Sequence, residues 1–322
     1  MSFSDALTLF YAALAVSLPT FAWVLLGVLL KRFGLLSQAL NENLSRLAFN
    51  IGLPIMLFAG AAQVDYTTLS SARYLLAGIV ATLLILALSW YYSNWRGHPR
   101  ELKGIFVQSA FRSNLAIVGV ALTFSAYGER GPILAALPIA LMTVLYNMLA
   151  VWVLNATLGS VTTLRTVLLG IAQNPLIIGI TAGVCLSVSP LPAPASLAPV
   201  SSGLSAFFLP LVLVSIGASM NLSHLYKAGA LTWEASFWRL CVAPLVGILL
   251  ALSFGVRGEP LGVLFLLLAT PVAVSSHVMV VAAHGDGTLA ANIVVLTTLL
   301  SLVTITIGFF VLSLFSLIGQ TV

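Results

Sequence analysis

Charge is what this sequence has least of. Of its 322 residues only 13 are basic and 8 acidic, 7% in all, while 60% are hydrophobic and the mean hydropathy is +1.12. Soluble domains carry about 25% charge and 45–50% apolar residues, so a soluble enzyme of one or two domains and a disordered chain are both excluded. The pI near 9.5 does not make a nucleic-acid binder, because the bases are spread thinly and form no patch. Cysteine is equally scarce. Cys185 and Cys241 sit in apolar stretches, too few for a disulfide framework or a thiol metal site, and read as small buried apolar residues. A signal peptide is not expected, since the first residues hold Asp5 and no base, and the run Leu7–Leu30 is too long for an h-region. What remains is an integral membrane protein, with the lipid bilayer as its first partner. Spans of ~20 residues joined by short loops allow roughly ten helices.

Apolar runs between polar breaks predict an all-α, multi-pass chain with spans at 7–30, 40–62, 72–93, 103–126, 132–155, 166–188, 200–220, 235–255, 260–283 and 288–315. No long hydrophilic insert interrupts them. An even number of spans puts both termini on one side. Lys31, Arg32, Arg96, Arg100, Lys103, Arg165 and Lys227 fall on the side reached after span one, against Arg73, Arg130 and Arg257 on the other. Arg46 and Arg239 read as lying just inside helix ends. The positive-inside rule then places both termini outside the cytoplasm, in a plasma (inner) membrane.

A repeat lies beneath this pattern. LPIMLFAGAAQVDYTTL at 53–69 aligns with LPLVLVSIGASMNLSHL at 209–225, matching Leu53-Pro54 to Leu209-Pro210, Asp65 to Asn221 and Leu69 to Leu225. Tyr127-Gly128-Glu129 echoes His284-Gly285-Asp286. The shift spans five helices, an odd number, so the halves 1–160 and 161–322 are expected to be inverted five-helix repeats. Such repeats are the architecture of secondary transporters, with the substrate at the midplane between them.

Spans four and nine are disturbed in corresponding places, by Phe111-Arg112-Ser113-Asn114 with Gly119, and by Thr270-Pro271 through Ser275-Ser276-His277. Pro271 removes a backbone donor and clashes with the preceding turn, so a continuous helix is not expected there. Freed backbone groups at that depth need protein, water or ligand as partners. Arg112 is the costliest residue, since an arginine at mid-membrane costs ~2.5–3.5 kcal/mol by insertion scales. It either meets an anionic substrate or pairs within the protein. His277 is either a satisfied imidazole or a proton-coupling or ligand group. Asn114 suits a carboxylate plus a donor. Asn50, Asn147 and Asn174 are weaker candidates, with Asn50 favoured for its place before Pro54. Pro54 and Pro210 read as architectural kinks. Asp65 and Asp286 read as solvated span ends, and no buried pair of acids provides the relay of a cation antiporter.

Phe49-Asn50-Ile51-Gly52-Leu53-Pro54, the Asn114 crossover, Asn174-Pro175, Leu209-Pro210 with Ile216-Gly217-Ala218, and Ala269-Thr270-Pro271-Val272-Ala273 followed by Thr297 to Thr304 together resemble the auxin efflux carrier family, from about residue 10 to 315. The resemblance implies ten helices in a fold like that of bile-acid and sodium/proton transporters. Helices one, two, six and seven would form a scaffold and a dimer interface, and the other six a mobile transport domain. Plant PIN-like members export indole-3-acetate, and bacterial members are linked to malate and malonate. The short loop near 156–165 departs from the long loop of many plant members, and span four lacks the family's usual crossover proline.

The reading is a secondary transporter of small organic anions working by an elevator movement. Its substrate contacts are expected from Arg112, Ser113, Asn114, Pro271, Ser275, Ser276, His277 and Asn50, with no cofactor and with proton coupling left open. A sodium-coupled symporter of the bile-acid type and a membrane receptor are the alternatives. An enzyme is not expected, because four scattered histidines, with His98 and His224 in loops, supply neither a nucleophile–base pair nor a metal cluster.

Overall fold

The computed structural model describes residues 3–63, 69–159, 163–190, 194, 197–220, 222 and 228–319. Asp65, Asn221, His224, Leu225, Lys227 and the boundary between the expected halves lie outside the described residues. The described chain is helical: α1 Phe3–Arg32, α2 Gln38–Leu47, α3 Leu53–Ala62, α4 Leu69–Trp95, α5 Arg100–Phe111, α6 Val120–Tyr127, α7 Arg130–Leu158, α8 Leu164–Ala172, α9 Pro175–Val188, α10 Leu197–Ser219, α11 Ala230–Phe237, α12 Ala243–Ser253, α13 Glu259–Ala269, α14 Val274–Ala282 and α15 Gly287–Leu314.

Among the described residues seven continuous helices are long and apolar enough to cross a membrane, which makes this a polytopic membrane protein. Ten such spans are expected from hydropathy, and the difference has a local cause. The remaining three candidates are each split, at Arg112–Asn114, at Gln173–Asn174 and at Thr270–Ala273, into pieces too short to qualify alone. At the second split, the Asn174 side chain accepts a hydrogen bond from the Leu176 amide at 2.9 Å, and Pro175 takes the first helical position, where its missing N–H costs nothing.

Among the described residues three π-helical turns interrupt the helical register, at Ala48–Gly52, Leu115–Gly119 and Trp238–Val242. Two precede prolines. Pro54 cannot donate to Asn50, nor Pro244 to Leu240, so the turn widens by one residue where the ordinary ladder would leave that carbonyl unserved. Each widening also re-aims the side chains on it, and all three turns sit beside the crossing described below.

Packing relies on close backbone approach. Gly27 on α1 and Gly217 on α10 face each other's helix, and a Cβ on either would collide with the carbonyl of Val214 or Val24. Gly179 and Gly183 bring α9 equally close to the Pro54 and Phe58 carbonyls of α3. Small residues at such positions let helices associate where lipid removes the hydrophobic drive. α1, α2–α3, α9 and α10 pack on one another, while α4, α7, α11, α12 and α15 surround the interrupted helices α5–α6 and α13–α14. At one end of the second group, Glu234 accepts from Tyr92 at 2.5 Å and pairs with Arg96 at 3.0 Å and His98 at 2.9 Å, pinning the α4–α5 loop to α11.

The cysteines correct a sequence expectation. Cys185 and Cys241 are free and exposed on the protein surface. In a membrane protein an apolar stretch has two apolar surroundings, neighbouring helices and lipid, and composition does not choose between them.

Candidate functional site

The two interrupted helices meet at their breaks. Ser113 and Val272 pair as an isolated antiparallel bridge. The Asn114 amide donates to the Pro271 carbonyl at 2.9 Å, and the Ala273 amide to the Arg112 carbonyl at 3.4 Å. Val272 donates its own amide to the Thr297 hydroxyl on α15 at 3.2 Å. The extended strands thus serve one another's freed backbone groups, the requirement for irregular chain at membrane depth. Span four achieves its break without a proline; Asn114 adopts φ −85°, ψ 66° and starts the following π turn, whose Gly119 amide returns to the Asn114 carbonyl at 3.0 Å.

Beside this bridge lies a cleft of about 350 Å³, whose polar lining includes Arg112, Ser113, Asn114, Thr143, Asn147 and Ser275. Phe49, Leu115, Ala116, Ile117, Leu176 and Val274 supply its apolar wall. Arg112 is buried, and among the described residues its guanidinium meets only neutral acceptors: the Tyr146 carbonyl at 3.3 Å, Asn147 Oδ1 at 2.8 Å and Ser275 Oγ at 3.1 Å. Tyr146 also shares a hydrogen bond between its hydroxyl and Ser113 Oγ at 3.3 Å. No Asp or Glu is buried among the described residues. Two helix N-termini open onto the same space, that of the Leu115 turn leading to α6 and that of α14 at Val274. Each carries roughly half a positive charge. The cleft is therefore a region of uncompensated positive potential walled by apolar surface.

Of the residues named from sequence, Arg112, Ser113, Asn114 and Ser275 line this cleft together. Pro271 stands behind it, contributing its carbonyl to the bridge. Ser276 is buried away from it, with a hydroxyl unpartnered among the described residues. His277 lines an adjoining hollow of about 320 Å³ with Ser219, Met220 and Gly287, and its buried Nδ1 has no partner among the described residues. Asn50 lines a third hollow, about 530 Å³, with Glu42 and Arg46 at its mouth. Phe49, Ile117 and Val274 are shared between the cleft and its neighbours. Asp286 caps α15, accepting from the Leu289 amide at 2.9 Å.

Sequence reasoning passed over Thr143 and Tyr146 and gave Asn147 little weight. Their spacing was the available signal: three polar-bearing residues at i, i+3 and i+4 form one stripe on an otherwise apolar α7. Arg239, expected from sequence just inside a helix end, is wholly buried at the crossing. No spacing rule places Arg239 there, because a π turn sets its direction.

A polytopic helical chain with a polar cleft where two broken helices meet has the build of a membrane transporter, not of an enzyme, and the comparisons agree. Residues 13–308 match a family described as "Membrane transport protein", so the chain belongs to this family, that of the PIN-like auxin efflux carriers. An "Uncharacterized transporter" from Methanothermobacter thermautotrophicus (strain Delta H) is 22% identical over 300 residues, covering 92% of this chain and 97% of that protein.

Proposed function

We propose that this protein is a secondary transporter of small organic anions, carrying a carboxylate through the Arg112 cleft by an elevator-type movement. One observation carries the reading: a buried guanidinium held by neutral partners only, beside two helix N-termini, with no buried acid among the described residues to balance it. A carboxylate would accept from Arg112, from the side-chain carboxamide of Asn114, which lines the cleft, and from backbone N–H groups at the start of α14. The apolar wall suits the hydrocarbon part of the anion.

In this reading the chain comprises ten membrane segments as two inverted five-helix halves, 1–160 and 161–322. α1, α2–α3, α8–α9 and α10 form the scaffold, which dimerises, and the remaining helices carry the site. The three connected hollows lead past Phe49 and Ile117 to Arg46, on the base-rich side. With both termini outside the plasma membrane, this conformation is open to the cytoplasm.

The test is a thermal-shift screen of carboxylates on purified protein, then counterflow of the best binder in proteoliposomes. A stabilising carboxylate that exchanges across the membrane, and does so far more weakly in Arg112→Ala, is the expected result. Binding without counterflow would mark a receptor instead. Unchanged uptake of the tested acids by well-expressed Arg112→Ala would remove the site.

A further inference from the structure

The second buried arginine faces away from the cleft. Arg239, on the π turn between α11 and α12, donates from Nη1 to the Ala110 carbonyl at 3.1 Å and from Nη2 to the Leu268 carbonyl. Ala110 is the penultimate residue of α5, and Leu268 that of α13. One guanidinium therefore caps both half-helix C-termini that run into the crossing. Both carbonyl-bearing residues are buried, and lipid could not serve these ends.

The charges close around this residue. Each helix C-terminus carries about −0.5 elementary charge, so two converging ends call for about one positive charge. Arg239 supplies it, and its Nε has no partner among the described residues, so its contacts are directed at the two helix ends rather than spread over the surrounding core. On the cleft side, Arg112 and two helix N-termini leave a surplus of about two positive charges, which an anion would offset. A mobile metal cation is thus needed on neither side. Tyr146, which lines the cleft, reaches Arg112 through its carbonyl, and its hydroxyl holds Ser113 of the bridge.

We propose that Arg239 is a built-in substitute for a coupling cation. It supplies permanently the positive charge that the paired half-helix ends require, so the crossing assembles and its anion site forms without bound sodium. Arg239 is a positioning residue; it acts on substrate through α5 and α13. The inference rests on the carrier reading only in what it implies for transport, since the state of the crossing can be measured without a substrate.

The experiment measures melting of the purified full-length protein in sodium, potassium or choline chloride at equal ionic strength, alone and with malate or indole-3-acetate. Wild type is expected to melt at the same temperature in all three salts, and any shift caused by either acid is expected to be the same in each. Arg239→Lys should keep most of that stability. Arg239→Met, similar in bulk but uncharged, should melt roughly 5–15 °C lower. Low guanidinium chloride or sodium should restore part of that loss, and urea or choline should not. Specific stabilisation of wild type by sodium would overturn the proposal. So would an Arg239→Met protein that melts like wild type, or one whose loss no cation restores, because Arg239 would then be packing alone. Should Arg239→Met fail to fold, Arg239→Lys decides: cation indifference supports the proposal, and misfolding or sodium dependence overturns it. Failure of the anion-carrier reading would show separately, as no response to either acid in any salt while the cation results stand.

Discussion

Arg112 decides the chemistry because its compensation is incomplete. A buried guanidinium bonded to one amide, one hydroxyl and one carbonyl has no counter-ion among the described residues. Hydrogen bonds to charged groups contribute about 1.5–3 kcal/mol. Arg112→Ala should therefore weaken carboxylate binding roughly 10- to 150-fold in a titration on purified protein. Arg112→Lys keeps the charge but cannot span both Asn147 and Ser275 with a planar fork, so it should fall between wild type and alanine. Asn114→Ala, which removes a neutral amide, should cost about 0.5–1.5 kcal/mol, or roughly 2- to 10-fold. Ser276→Ala is the contrast within the same half-helix. Its buried hydroxyl has no partner among the described residues, so binding should change less than about 2-fold and the melting temperature should hold or rise.

At the scale of elements, the prolines and glycines act through geometry. The π turn at Trp238–Val242 owes its extra residue to Pro244, and removing that residue rotates what precedes it by about 100°. Pro244→Ala restores a donor and lets an ordinary helix form. The variant should show slower amide exchange over residues 239–244, together with reduced uptake, because Arg239 leaves the two helix ends. Slower exchange with normal uptake would detach the turn from function. Gly217 works by close approach. Gly217→Val would push a side chain into the Val24 carbonyl, and overpacking of about 1–3 kcal/mol should lower the melting temperature by roughly 3–10 °C. Gly203, on the same helix, where an added Cβ meets nothing, is the matched control for volume.

For the whole molecule the question is what moves. Ile216 on α10 and Val274 on α14 line the same hollow from the two helix groups. If the groups slide past each other, tying these positions together must stop turnover. In a background with Cys185→Ser and Cys241→Ser, both of which replace exposed free thiols, Ile216→Cys with Val274→Cys should lose uptake on thiol cross-linking and regain it on reduction. Uptake that survives complete cross-linking would exclude relative movement of α10 and α14. The seal between Glu234, Arg96 and His98 lies within one group, so it should stay intact through the cycle.

Membrane residence and the broken segments were legible in the chain itself, because each depends on local chemistry. Twenty apolar residues span a bilayer whatever they pack against, and Pro271 removes a backbone donor and disturbs a helix in any fold. The cost of Arg112 was equally visible, since it follows from depth alone. Which polar residues share one cleft was not local. Ser275 and Ser276 are neighbours in sequence with similar chemistry, yet one bonds Arg112 and the other is buried apart from it. Consecutive helical residues point about 100° apart, and packing decides which of the two faces the cleft. Arg239 makes the same point more sharply. Its sequence position suggested a helix end, and a π turn together with the convergence of α5 and α13 placed it under the crossing. The sequence determined that charge would be scarce and where the chain must break. The tertiary structure decided what the few remaining charges face, because helix ends that are far apart in the chain become neighbours only when the helices pack.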